Sequence, residues 1–232
     1  MNKTKIEWCD YTINPVKGLC PMACDYCYAR RMYKRFKWNP KIRFDPTVFN
    51  NLPTKPARIF VGSTIELFMP QFEDSHWLPK IFDLIRPYKW LTFIFLTKQP
   101  NVAARWFIHH PPEDNWWIGA SATNWLQFSD ALGNLATINA KVKFLSFEPL
   151  LEIIQFDMLQ QMLFPSVIDW VIIGAQTPYS PKTAPKMSWV REILVAASNA
   201  GSKPVFMKSN LQPVIDHDSL WSGWKLRQEF PK

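Results

Sequence analysis

The sequence predicts an α/β fold: a partial (β/α) barrel of about six to seven parallel strands, built as a single domain over residues 1–232. Three observations predict it. Short apolar runs rich in β-branched and aromatic residues recur along the chain, a composition that suits strands covered on both faces. Segments of helical period lie between them, so strands alternate with helices and the crossovers are right-handed. Polar residues gather at the C-terminal ends of the runs, as they do at the mouth of a β/α barrel, where strand ends converge and chemistry is done.

The first run is Trp8 to Ile13. Arg58–Ser63, Trp90–Thr97, Trp116–Ser121, Val142–Phe147, Asp169–Gly174 and Pro204–Lys208 follow. The clearest helix is Ser188 to Ala200, where Val190, Ile193, Leu194 and Ala197 form one stripe and Gly201 supplies the stop. Asp74 to Arg86 reads the same way, with Pro87 beyond it. The polar strand ends are Ser63, Thr64 and Glu66, then Thr97 and Lys98, then Ser121, Thr123 and Asn124, then Ser146 and Glu148, and finally Gln176 and Lys208. Period-two alternation puts Ser146 and Glu148 on one strand face and Leu145 and Phe147 on the other, so one face is polar and suited to line a site. There is no internal repeat, low-complexity tract or long linker.

Hydrophobic residues make up 47% of the chain and charged residues 20%, which fits a folded protein and excludes disorder. No apolar run reaches the roughly 18 residues that span a bilayer. Met1 to Lys5 lead into Ile6-Glu7-Trp8, not into an apolar signal region, so a cytoplasmic protein is expected. Lys and Arg outnumber Asp and Glu by 27 to 19, a net charge of +8. That balance favours encounter with a polyanion such as nucleic acid, and it also aids solubility. Of the four cysteines, three fall within eight residues. Such clustering points to metal or cluster ligation in a reducing compartment, not to a disulfide scaffold.

The loop at 18–29 carries Cys20-Pro-Met-Ala-Cys24-Asp-Tyr-Cys27, a C-x3-C-x2-C spacing. Three thiolates on one short loop can each hold a different iron of a 4Fe–4S cubane, leaving the fourth iron without a protein ligand. An open iron can chelate S-adenosylmethionine (SAM) and pass an electron, delivered by an external one-electron reductant, into its sulfonium. The alternative is a zinc site. It would need a fourth ligand from Cys9, His76, His109, His110 or His217, none of which lies at familiar zinc spacing.

The C-x3-C-x2-C motif with Tyr26 before its last cysteine resembles that of the radical SAM superfamily. More closely, the chain is similar to the phage-associated Gp37/Gp68-type radical-SAM-like family, whose function is largely unassigned. The likeness is carried by Thr4–Trp8, Asn14–Gly18, Cys27-Tyr-Ala29, Leu96-Thr-Lys98, Leu145–Leu150, Asp169–Gly174 and Pro204–Lys208, nearly end to end. Two departures stand out: Gly174-Ala-Gln-Thr177 replaces a Gly-Gly-Glu-Ser-Gly type turn, and the first two motif cysteines are closer together than is usual in that family. The Gln removes a charge at that turn. The resemblance implies a cluster on Cys20, Cys24 and Cys27 after the first barrel strand, with SAM lying across the mouth. Carried over by position, Gly62, Ser63 and Thr64 meet the amino and carboxylate groups of SAM. Ser121, Thr123 and Asn124 meet the ribose, Tyr26 and Tyr28 lie on the adenine side, and Ser146 contacts SAM or substrate. Each of these polar residues is equally suited to cap a strand end or turn.

Two further residues are candidates for catalysis. Glu148, before Pro149, could bind a cation or transfer a proton, or else pair with Lys98 or Lys208. Cys9 could return a hydrogen atom through its thiol, or serve as a small hydrophobe in the core. After the cluster loop, residues 28–43 interleave basic and aromatic side chains. The pattern fits either a clamp for phosphates and bases or an amphipathic helix with its aromatics turned inward. Three functions are thus in play. They are a SAM-cleaving enzyme acting on a substrate such as a nucleic acid or nucleotide, an iron–sulfur electron-transfer protein, and a zinc-dependent nucleic-acid-binding module.

Overall fold

The computed structural model describes residues 2–73, 75–220 and 223–232. Among them, β1 (Asn2–Lys3) pairs antiparallel with β2 (Tyr11–Ile13), and a hairpin of β3 (Val16–Lys17) and β4 (Arg43–Phe44) brackets the cysteine loop and α1 (Tyr28–Phe36). From β2 the main sheet continues through β5 (Ala57–Val61), β6 (Leu91–Thr97), β7 (Trp116–Ser121), β8 (Val142–Phe147), β9 (Trp170–Ile173) and β10 (Val205–Met207). From β2 onward the seven strands are all parallel, and each lies beside its predecessor.

The sheet is curled into a half-barrel. The rings of Trp8, just before β2, and Trp170, on β9, lie 6.4 Å apart. Five strand spacings in a flat sheet would separate those strands by about 24 Å. The crossovers carry α2 (Pro70–Glu73), α3 (Trp77–Ile85), α4 (Pro100–His109), α5 (Trp125–Ala136), α6 (Met158–Val167) and α7 (Met187–Asn199), and α8 (Gln212–Asp216) follows β10. The helix expected from Asp74 begins at Trp77; Asp74 itself lies outside the described residues.

Alternation along each strand sorts the apolar residues into two layers. Ile59, Phe93, Phe95, Trp116, Leu145 and Phe147 belong to the layer packed against the helices. Trp8, Cys9, Phe60, Ile94, Phe144, Trp170, Ile172 and Phe206 form a second cluster on the concave face. The two adjacent tryptophans of β7 show the division: Trp116 stacks beneath Phe82 at 4.8 Å, and Trp117 meets Trp170 at 5.6 Å. Gly119 makes room for this inner layer, since a Cβ there would lie 2.4 Å from the Phe144 ring.

The expected strands are recovered within a few residues, with one instructive shortening. The first run begins pairing at Tyr11, not Trp8. The Asp10 carboxylate accepts the Arg58 backbone N–H at 2.8 Å, while Cys9 N–H turns back to Ile6 O, so Trp8 and Cys9 sit in a turn that drops their side chains into the barrel. The polar face expected for β8 is polar only at its upper end. Ser146 and Glu148 follow Phe144, which belongs to the aromatic inner layer.

The chain ends meet at the open side. Backbone bonds from Met207 N to Arg227 O and from Glu229 N to Val205 O lay the C-terminal segment along β10, and Trp170 Nε1 donates to Glu229 O at 2.9 Å. Phe230 packs on Trp170 and Phe206, and the Arg58 guanidinium of β5 lies 3.7 Å from its ring centroid. Glu7 accepts from Ser209 and Gln228. No helix among the described residues is long and apolar enough to cross a membrane.

Candidate functional site

The three clustered cysteines lie on the loop that leads from β3 into α1, and this loop is stapled to the C-terminal ends of the strands. The Glu66 backbone N–H donates to Cys20 Sγ at 3.4 Å. The Glu66 carboxylate, almost fully buried, accepts from Thr97 Oγ1 at 2.7 Å, from Lys98 N at 2.7 Å and from Phe68 N at 3.0 Å. Glu66 therefore ties the β6 end to the cysteine loop, through its carboxylate on one side and its backbone N–H on the other. Arg30 holds the loop from the other side, donating to Cys20 O at 2.9 Å.

Cys27 is the N-cap of α1, with its sulfur accepting from Arg30 N at 3.4 Å. Burial raises the Cys20 thiol pKa above its ordinary value, partly offset by the N–H groups of Glu66 and Met22, while the charges of Glu66 and Cys27 raise it further. Tyr26 lies against Cys24 and Thr123, and burial, with the charge of Cys24, raises its pKa. The Tyr28 hydroxyl donates to Ser63 O at 2.6 Å. Burial pushes its pKa up to about 12; the Ser63 side chain opposes this, while the nearby charges of Glu148, Cys27 and Cys9 add to it.

The other expected residues divide by how their polar atoms are used. Gly62 adopts φ +83°, and a Cβ there would lie 2.6 Å from Leu67 Cγ, so the turn after β5 requires glycine. Asn14 shapes that turn, its side-chain oxygen accepting from Ser63 Oγ at 3.2 Å and Thr64 N at 3.1 Å. Asn124 spends its side-chain oxygen capping α5, on Gln127 N, and Thr123 is held by the Gln127 side chain. Ser121 accepts from Lys98 Nζ at 3.3 Å, and that ammonium lies 5.9 Å from the Tyr26 ring centroid. Ser146, paired in register with Ser121, is fully buried, and among the described residues its hydroxyl has no hydrogen-bond partner. Glu148 forms an ion pair with Lys208. Gly174 lies directly against both, since a Cβ there would meet Lys208 Cδ at 3.0 Å and Glu148 Cγ at 3.2 Å. Cys9 sits lower, in the inner aromatic layer. Its thiol faces Ile6 O at 3.8 Å, and burial pushes its pKa up to about 12.

A family model for proteins of unknown function, DUF5131, matches residues 3–211. The chain belongs to that family. No curated protein matches the DUF5131 chain, and no solved structure does.

The donor set of this DUF5131 chain suits an iron–sulfur cluster: three free thiols on one loop, two of them already receiving backbone N–H groups of the kind that stabilise cluster-bound sulfur. Among the described residues, no group of three or more His, Cys, Asp or Glu side chains is arranged to hold a metal ion. Asn14 and Arg30, which position this site, were not singled out in the sequence. An Asn directly after the first strand was the available signal for the former, and the latter was hidden among its basic neighbours.

Proposed function

We propose that the chain is a radical SAM enzyme, its half-barrel of radical-SAM type, with a 4Fe–4S cluster on Cys20, Cys24 and Cys27. When bound, the cluster and SAM supply a one-electron route to breaking an unactivated C–H bond, the electron coming from an external reductant. The observation that carries this reading is the seating of a C-x3-C-x2-C loop across the strand C-termini, tied there by Glu66, Tyr26 and Tyr28. The Ser146 hydroxyl, without a partner among the described residues, supports it, because a buried hydroxyl facing a barrel mouth is suited to bond a ligand group.

The chain's own residues hold and enclose the reactants. Asn14 fixes the Gly62–Thr64 turn, the stretch that would face the amino acid part of SAM. Lys98 and Ser121 offer a cation and a hydroxyl on the neighbouring strand ends. Below them the aromatic layer of Trp8, Phe144 and Trp170 fills the barrel floor with apolar side chains. Glu148, paired with Lys208, is the carboxylate placed to hold or move a proton at the mouth. A reducing, cytoplasmic setting suits the four free thiols.

Anaerobic purification with iron and sulfide analysis tests the proposal, followed by addition of dithionite and SAM and chromatography for 5′-deoxyadenosine. About four irons per chain and a 5′-deoxyadenosine peak are expected, and Cys24→Ala loses both. Zinc in place of iron, or an iron-loaded chain that never cleaves SAM, would sink the reading.

A further inference from the structure

Residues 28–43 hold seven Lys and Arg and no Asp or Glu. The rest of the chain carries twenty basic against nineteen acidic residues, so nearly all of the net +8 resides in this one segment. It begins directly after Cys27, the last cysteine of the loop, and runs out along α1 for about 13 Å at 1.5 Å per residue. Arg30/Lys34 and Arg31/Arg35 are like-charge pairs at i,i+4, an arrangement that weakens an isolated helix. No carboxylate among the described residues pairs with Arg31, Lys34, Arg35, Lys37, Lys41 or Arg43.

An amphipathic covering helix would turn its aromatics inward, and only part of α1 does so. Ala29 is buried, and Tyr33 anchors the helix by accepting from Gly18 N at 2.8 Å. Phe36 and Trp38 stay outside, 52% and 41% exposed, their rings stacked at 5.6 Å with an interplanar angle of 23°. Lys37 between them takes the left-handed conformation, φ +49°, where glycine is the usual occupant of a helix end. That turn folds Trp38 back onto Phe36 and keeps a cation beside the rings. The Arg35 guanidinium lies 5.3 Å from the Phe36 centroid. At the helix start, Arg31 donates to Thr177 O at 2.7 Å, joining α1 to the loop after β9, on which Lys182 and Lys186 are exposed.

We infer that α1 and the turn after it form a binding surface for a single-stranded nucleic acid, which this surface leads to the barrel mouth. Phosphates meet the unpaired Lys and Arg, and bases stack on the Phe36–Trp38 platform. A duplex offers no free base faces to such a platform, so a single strand is the better fit. An anionic membrane needs a broad apolar helix face, and here Ala29, Met32 and Tyr33 are turned toward the protein, leaving two rings. Naming the strand as substrate rests on the proposed radical SAM chemistry; the binding itself does not.

Fluorescence anisotropy with labelled single-stranded DNA and RNA oligonucleotides of one sequence, in the absence of SAM, tests the inference and tells the two sugars apart. Binding is expected to fall steeply with salt. Phe36→Ala/Trp38→Ala should weaken it roughly tenfold or more. Lys34→Glu/Lys37→Glu should lower the log–log salt slope by about 1.4, the value for two phosphate contacts to a single strand. Both double variants change exposed side chains, and unchanged circular dichroism and iron content establish that they fold. Equal affinity of parent and variants, equal affinity for a duplex, or stronger binding to phosphatidylserine–phosphatidylcholine vesicles overturns the inference. Oligonucleotide binding without SAM cleavage would instead defeat only the proposed chemistry, and cleavage without binding only the surface.

Discussion

Ser146 is fully buried at the mouth, and among the described residues its hydroxyl has no hydrogen-bond partner. A buried hydroxyl left unbonded costs stability, so Ser146→Ala is expected to leave the ligand-free chain as stable or more stable, by up to about 1 kcal/mol. The same change should weaken SAM binding. Thermal melts without ligand, set beside a SAM titration, check both halves, and a clear loss of ligand-free stability would show the hydroxyl already satisfied. Glu148 and Lys208 pose the opposite case, two charges half withdrawn from water and relying on each other. Removing either leaves the other unpaired. Glu148→Gln and Lys208→Met should each destabilise the fold more than the double variant implies, with a coupling of about 1 kcal/mol or more in a denaturation cycle. Strict additivity would mean the two side chains do not act as a pair. Both residues were visible in the sequence as polar strand ends, but strand order does not choose between the two lysines, since Lys98 after β6 and Lys208 after β10 are each two strands from Glu148 after β8. The side chains decide it: Lys208 pairs with Glu148, and Lys98 turns to Ser121.

At the scale of elements, the cysteine loop depends on the β3–β4 hairpin that brackets it. Lys17 on β3 binds Asp45 just beyond β4, and Asp45 also caps the following 3-10 turn at Pro46–Phe49. The Lys17 hydrogen bond, with that from Thr47, lowers the Asp45 pKa from 3.8 to about 2. A carboxylate whose folded value is depressed stabilises the fold above its unfolded value and ceases to do so as pH falls through the folded one. Asp45→Asn should therefore melt below the parent at neutral pH, and the gap should close between about pH 4 and pH 2. A gap that persists unchanged at pH 2 would assign the effect to something other than this charge. The β strands were legible because each is buried on both faces and reads as a continuous apolar run. The hairpin was not: two-residue strands such as Val16–Lys17 carry too little pattern to register. Nor did the spacing of Phe36 and Trp38 reveal that they stay outside, since their placement depends on the Lys37 turn.

The whole molecule is a half-barrel whose open side is narrowed by its own ends. Phe230 bridges the last strands and Arg58 of β5, and Trp170 is bonded to the backbone beside it. Phe230→Ala is expected to lower stability by about 2 kcal/mol, less than a fully buried Phe because this ring is half-buried. It should also shift tryptophan emission to longer wavelength as Trp170 gains water, and urea unfolding followed by fluorescence reads both effects. An unchanged midpoint would show that the tail is not part of the closure.

The number, approximate bounds and parallel direction of the strands, and the cysteine loop, were legible in the sequence alone. Local hydrophobic period and a short ligand spacing are properties of neighbouring residues. The partners of Glu66, Glu148 and Tyr28, the closure of the barrel by Trp8 and Phe230, and the orphaned Ser146 hydroxyl were decided only by the tertiary structure. Each depends on the curl that brings distant strand ends within hydrogen-bonding or ring-packing distance, and curl arises from the twist and packing of the assembled sheet, not from any one segment.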